Sequence, residues 1–153
     1  MDTAKMIDKL NEILRWEWTG VVQYTQHSFL IQDLWREVYA PMFRKSAEES
    51  LGHARQIGDK IVAMGGVPTV ERGEVRQSTD LTEMLRYDLE FERGAVRLYS
   101  EAIELCPENH PLRVLLEDII LEEQDGVEHL EKLLCTRERL VAPKQPENVG
   151  KVG

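Results

Sequence analysis

The chain has only two cysteines, no basic surplus and no long apolar run. Cys106 and Cys135 make no disulfide framework, which excludes a small fold stapled by cross-links. Lysine and arginine total 19 against 28 aspartates and glutamates, a net charge of −9. That balance leaves little to neutralise phosphates and argues against a nucleic-acid partner. No segment approaches the ~18 consecutive apolar residues of a membrane span, so no membrane partner is expected. The N-terminal stretch MDTAKMIDKLNEIL lacks an apolar core and a small-residue cleavage site, which predicts a cytoplasmic location. Strand-like alternation, phosphate-binding glycine loops and nucleophile elbows are missing as well.

What remains is helical. With 42% apolar and 31% charged residues, the composition is that of a soluble helix-rich protein, and 153 residues fit one domain with a real core. The acidic balance suits a cation-handling surface and equally suits a protein without metal. Apolar residues at Met6, Leu10, Ile13, Leu14, Val21, Tyr24 and Leu30 predict a first helix over 3–32. A second spans about 38–64, provided Pro41 lies in its first turn, where a missing N–H costs nothing. Gly65-Gly66-Val67-Pro68 stops it. Ser78, Thr79 and Asp80 offer N-caps for a third helix to about Leu105, and His110-Pro111 opens a fourth to about Arg139.

Each helix is then roughly 40 Å long. Short turns join the first to the second and the third to the fourth. The middle connection is long enough to travel the length of the bundle. The expected fold is all-α: a ferritin-like antiparallel four-helix bundle with a long crossover between helices two and three. Residues 1–140 form that bundle, and the polar, proline-containing residues 141–153 form a flexible tail.

Each long helix carries a carboxylate or histidine near its middle: Glu17, His53, Glu92, and Glu122 with Glu123. A di-metal bundle builds its centre at that level. Tyr24 and Tyr99 each follow a carboxylate, Glu17 and Glu92, by two helical turns and share its face, ready to hydrogen-bond a ligand. Spacing alone leaves Glu17 and Glu92 either inward or on a solvated face.

Longer stretches narrow the choice. LNEILRWEWTGVVQYTQHSF, AEESLGHARQIGDKIVAMGGVP, EMLRYDLEFERGAVRLYSEAI and EEQDGVEHLEKLL resemble the four helices of bacterioferritins and related small ferritin-like proteins, nearly up to Leu140. The resemblance implies a di-iron centre of six ligands: a glutamate on the first and third helices and a Glu-x-x-His pair on the second and fourth. Glu17, His53, Glu92 and Glu123 match four of these positions. Ser50 stands where the second-helix glutamate belongs, and Gly126 where the fourth-helix histidine belongs.

The resemblance therefore implies one half-site of Glu17, His53 and Glu123, fit for iron, manganese or zinc. The other keeps only Glu92 and Glu123, with no nitrogen donor. Glu49 lies about 40° around the helix from His53 and is a candidate substitute for the lost carboxylate. Leu51 replaces the family's haem-binding methionine, so no haem of that kind is expected. His27, His110 and His129 read as structural or surface residues. The implied function is iron binding of the storage and detoxification class, with a degraded ferroxidase centre and at most one metal per bundle. The alternative is a non-catalytic subunit beside a competent one. The expected partners are metal ions and ferritin-like subunits, in a homo- or hetero-oligomer.

Overall fold

The computed structural model describes residues 1–135. Four helices, α1 (Thr3–Leu30), α2 (Arg36–Ala63), α3 (Leu81–Glu104) and α4 (His110–Leu134), form the expected antiparallel bundle, with no strand among the described residues. No described helix is long and apolar enough to cross a membrane. α4 ends at Leu134, with Cys135 already extended. The last residues predicted for that helix, and the tail 141–153, lie outside the described residues.

The helix ends follow local chemistry. The Asp2, Asp80 and Asn109 side chains each accept a backbone N–H of the first turn of α1, α3 and α4. Gly65 takes φ 87, and the Gly66 N–H reaches back to the Ile61 carbonyl at 2.9 Å, which closes α2. α2 starts two residues earlier than its periodicity predicts, so Pro41 falls in the second turn rather than the first. The cause lies just upstream. A short 3-10 turn, Asp33–Trp35, begins the winding, and Arg36 Nη1 then holds the Ser28 and Ile31 carbonyls at the end of α1.

Between α2 and α3 the chain runs beside α1. Asn11 binds the Val67 carbonyl and the Thr69 N–H, Trp18 binds the Thr69 carbonyl, Thr19 binds the Gly73 N–H, and Gln23 binds the Arg76 N–H. From Asn11 to Gln23 the partners advance from Val67 to Arg76, so the crossover climbs α1 in parallel. It delivers α3 antiparallel to α1.

Two apolar clusters fill the bundle. One packs Met6, Leu10, Ile13, Ile57, Ile61, Leu98, Leu112 and Leu116; the other packs Tyr24, Phe43, Met84, Leu85, Phe91 and Leu130. Each buried leucine or isoleucine contributes about 1.5–3 kcal/mol. Between the clusters lies a belt of buried polar side chains that this apolar packing has to hold in place.

Candidate metal centre

α1 contributes Glu17 to the belt, α2 His53, α3 Glu92 and α4 Glu123, all buried. Glu17 has 0% exposure, so the open question of its facing is settled inward. Each sits mid-helix, flanked along its own face by core residues, and follows that face inside. The close approach of the first three helices is set by Gly20. A Cβ there would lie 2.4 Å from the Phe91 ring and 2.6 Å from Ser50 Oγ.

The tyrosines serve the carboxylates crosswise. Tyr99 of α3 donates to Glu17 Oε1 at 2.8 Å, and Tyr24 of α1 donates to Glu92 Oε1. Along antiparallel helices, two turns forward on one strand of the pair faces two turns back on the other. Each phenol therefore meets the opposite helix's carboxylate rather than its own. Burial, with the neighbouring carboxylates, pushes both tyrosines well above their ordinary values, so they remain donors.

Three groups converge. Ligand atoms of Glu17, His53 and Glu123 lie within 4.8 Å of one another. His53 Nδ1 is 2.6 Å from Glu123 Oε1 and 3.5 Å from Glu17 Oε1. Yet neither Nδ1 nor Glu17 Oε2 has a hydrogen bond of acceptable geometry, although both are buried. Buried polar atoms without partners are rare in native interiors, and two of them facing one point suit a bound cation. The imidazole's other nitrogen, Nε2, lies 2.8 Å from Glu122 Oε2. A histidine whose outer N–H is held by a carboxylate presents its inner lone pair to a metal in a fixed orientation.

Without a cation, protons do the neutralising. Burial and the Glu123 charge push Glu17 up to about 7. Burial, reinforced by the bond to Glu123, drives Glu92 well above the carboxylate range. Burial also acts to raise Glu123, but Glu92 and the close positive charge of His53 hold it below its ordinary value. Burial opposes charge on His53, yet Glu123 and Glu17 push it up to about 11. A divalent cation would replace these protons, because ligands bind deprotonated. The donor set, two carboxylates and one imidazole, suits iron, manganese or zinc.

The other half of the belt is different. Glu92 is tied to Tyr24 and to Glu123 and stands outside the converging trio. Its carboxyl rests on Gly126, where a Cβ would lie 3.2 Å from Cδ, so the glycine gives room for this pose. Ser50, buried, offers no carboxylate. Glu49 is exposed and joins Glu122 in lining a cavity of about 400 Å³ that reaches His53, Glu123 and Glu92. It stands at the approach to the trio and is not among the three.

Glu122 is the residue that sequence reasoning passed over as a partner of His53. Its only signal was its place beside Glu123. His27, read as structural, is fully buried between Asp88 and the Arg76 carbonyl, 3.0 Å from each. His129 is exposed at the cavity, and Cys106 is a buried free thiol.

Comparison with known proteins places this geometry. The ferritin-like domain family matches residues 7–140. Bacterioferritin of Rhodobacter capsulatus is 35% identical over 143 residues, 90% of this chain and 87% of that protein. The ferritin-like diiron-carboxylate protein of Bacillus anthracis str. Ames superposes with a TM-score of 0.85 at 31% identity, covering 88% of this chain and 99% of that one. The R. capsulatus bacterioferritin structure, with a metal-free dinuclear site and a haem iron on a crystallographic special position, superposes at 0.78 with 32% identity, covering 86% and 84%.

Proposed function

The chain belongs to the ferritin-like family, and from that premise we propose that it is a bacterioferritin-like iron-binding protein with an incomplete ferroxidase centre. One observation carries the reading. Glu17, His53 and Glu123 converge in the buried belt while His53 Nδ1 and Glu17 Oε2 lack hydrogen-bond partners. These three hold a single divalent cation. Iron is the cargo the family points to, and manganese or zinc also suits the donors. Glu122 orients His53, and Tyr99 orients Glu17. Glu49 and Glu122 add negative charge along the cavity by which a cation approaches.

Two irons side by side are what paired electron transfer from Fe(II) needs, and Ser50 and Gly126 remove a carboxylate and an imidazole from the second position. The expected result is one metal per chain by elemental analysis and slow oxidation of Fe(II). Two irons per chain with rapid turnover would overturn this. Ser50→Glu combined with Gly126→His is expected to raise the metal content. The histidine's Cβ would crowd Glu92 off its present rest, freeing it to turn toward a second ion.

The same two residues favour a second reading, in which the chain is a non-catalytic subunit in a mixed cytoplasmic assembly with a competent ferritin-like partner. Copurification of a complete paralogue from the native source distinguishes it from a homo-oligomer. Leu51, without a lone pair, supports neither reading with haem.

A further inference from the structure

A second cleft, of about 700 Å³, lies between α1, α3 and the crossover and shares no lining residue with the metal-side cavity. Its wall is one residue removed from the belt along two helices: Trp16 precedes Glu17, and Phe91 precedes Glu92. The two rings stack with centroids 5.5 Å apart and planes 12° off parallel. Trp16 Nε1 donates to the Phe91 carbonyl at 3.1 Å, and the indole lies over Gly94, where a Cβ would come within 2.2 Å of the ring. The half-buried indole is therefore fixed against Phe91, which lies behind it in the core, by a hydrogen bond and a glycine.

The backbone of an arginine lining the same cleft is held by a buried network. The Arg76 N–H donates to Gln23 Oε1 at 3.1 Å, and its carbonyl faces His27 Nε2 at 3.0 Å. Gln23 and His27 are in turn anchored on Asp88, at 3.0 Å each. All three are buried. This network grips the backbone of one crossover residue, whose guanidinium sits 5.5 Å from the Tyr87 ring centre in the same cleft. Arg15 also lines the cleft and has no ion-pair partner among the described residues. Arg76 itself is paired with Glu90, on the surface.

From this juxtaposition we propose that the cleft binds a planar aromatic anion, a ring system bearing a phosphate or carboxylate. The ring lies against the Trp16 indole, and Arg76 with Arg15 takes the anionic group. The volume is that of a small-molecule site, stacking rewards a flat π-system, and guanidinium groups bind phosphate and carboxylate through paired N–H donors. Glu90 competes with the ligand for Arg76. This assignment stands apart from the metal reading.

The test uses the full chain with flavin mononucleotide and adenosine monophosphate as probes, titrated calorimetrically. Lumichrome supplies a ring without the anion, and inorganic phosphate an anion without the ring. At least one nucleotide is expected to bind saturably at one site per chain, with both fragments weaker. Arg76→Gln is expected to weaken binding by about tenfold or more, the loss of a charge-assisted hydrogen bond. Glu90→Gln is expected to tighten it several-fold, and neither variant should change metal content. The proposal is overturned if neither nucleotide saturates up to about 1 mM, a limit near −4 kcal/mol. It also fails if lumichrome matches flavin mononucleotide, or if the two variants shift affinity in the same direction.

Discussion

The bundle buries two charged networks, and they differ in what they leave undone. Around His27, Asp88 and Gln23, both imidazole nitrogens, both carboxylate oxygens and both ends of the amide have partners, the last of them supplied by the backbone of Arg76. Around His53, Glu17 and Glu123, the atoms crowd together and two of them find no hydrogen bond. A buried polar network that closes on itself holds structure. One whose donor atoms converge unsatisfied is shaped around something else. The comparison also divides the centre itself, since Glu92 is satisfied by Tyr24 and Glu123 and so behaves like the first network.

Breaking the closed network should cost the most. His27→Ala strands the Asp88 carboxylate at 0% exposure, and removing one partner of a buried pair costs about 3–5 kcal/mol. Chemical denaturation should show that loss with metal stoichiometry unchanged in the folded fraction; a change under about 1 kcal/mol would mean the network is not structural. His53→Ala is the converse experiment. Removing even an orienting partner weakens metal affinity about 10–100-fold, so loss of the imidazole itself should exceed about 100-fold by competition with a chelator. Retained affinity would remove His53 from the ligand set.

pH probes the open network without mutation. Glu17 is held up at about 7 and His53 at about 11, so the metal-free folded state keeps protons that the unfolded chain releases from about 4.5 and about 6.5. Stability of the metal-free protein should therefore fall as pH rises from about 5 through 9, by up to about 1.4 kcal/mol per pH unit for each proton so held. Saturating metal displaces those protons, binds more tightly as pH rises, and should flatten or reverse the slope. Urea midpoints at pH 6 and pH 8, with and without metal, read this directly. An identical slope in both states would contradict the site. The smallest effect is expected from Tyr99→Phe, which frees Glu17 to reorient. Affinity should drop about tenfold with the metal count intact. Tyr24→Phe, acting on Glu92 outside the converging trio, should leave affinity nearly unchanged.

The helices, their order and the long crossover were legible in the sequence, because apolar periodicity and Asp, Asn and Gly caps are local signals. The level of the centre was legible too, since mid-helix carboxylates and a histidine mark the same height on all four helices. Register between helices was not. Tyr24 and Tyr99 each lie two turns from a carboxylate of their own helix, and nothing local says that antiparallel packing hands each to the other's glutamate. Glu122 was hidden for the same reason: its role depends on which nitrogen of His53 faces out. Pro41 in the second turn of α2 reflects an early start driven by Arg36 reaching across to the end of α1.

The chain by itself determined which donors exist, because a serine at 50 supplies no carboxylate and a glycine at 126 no imidazole in any fold. Only the tertiary structure decided which surviving donors meet. Glu17, His53 and Glu123 are brought together and left unsatisfied, while Glu92 is drawn away by a tyrosine and settled on the space that Gly126 leaves open. Ligation is a property of distances and angles between helices, and those are set by packing over the whole bundle rather than by any single helix.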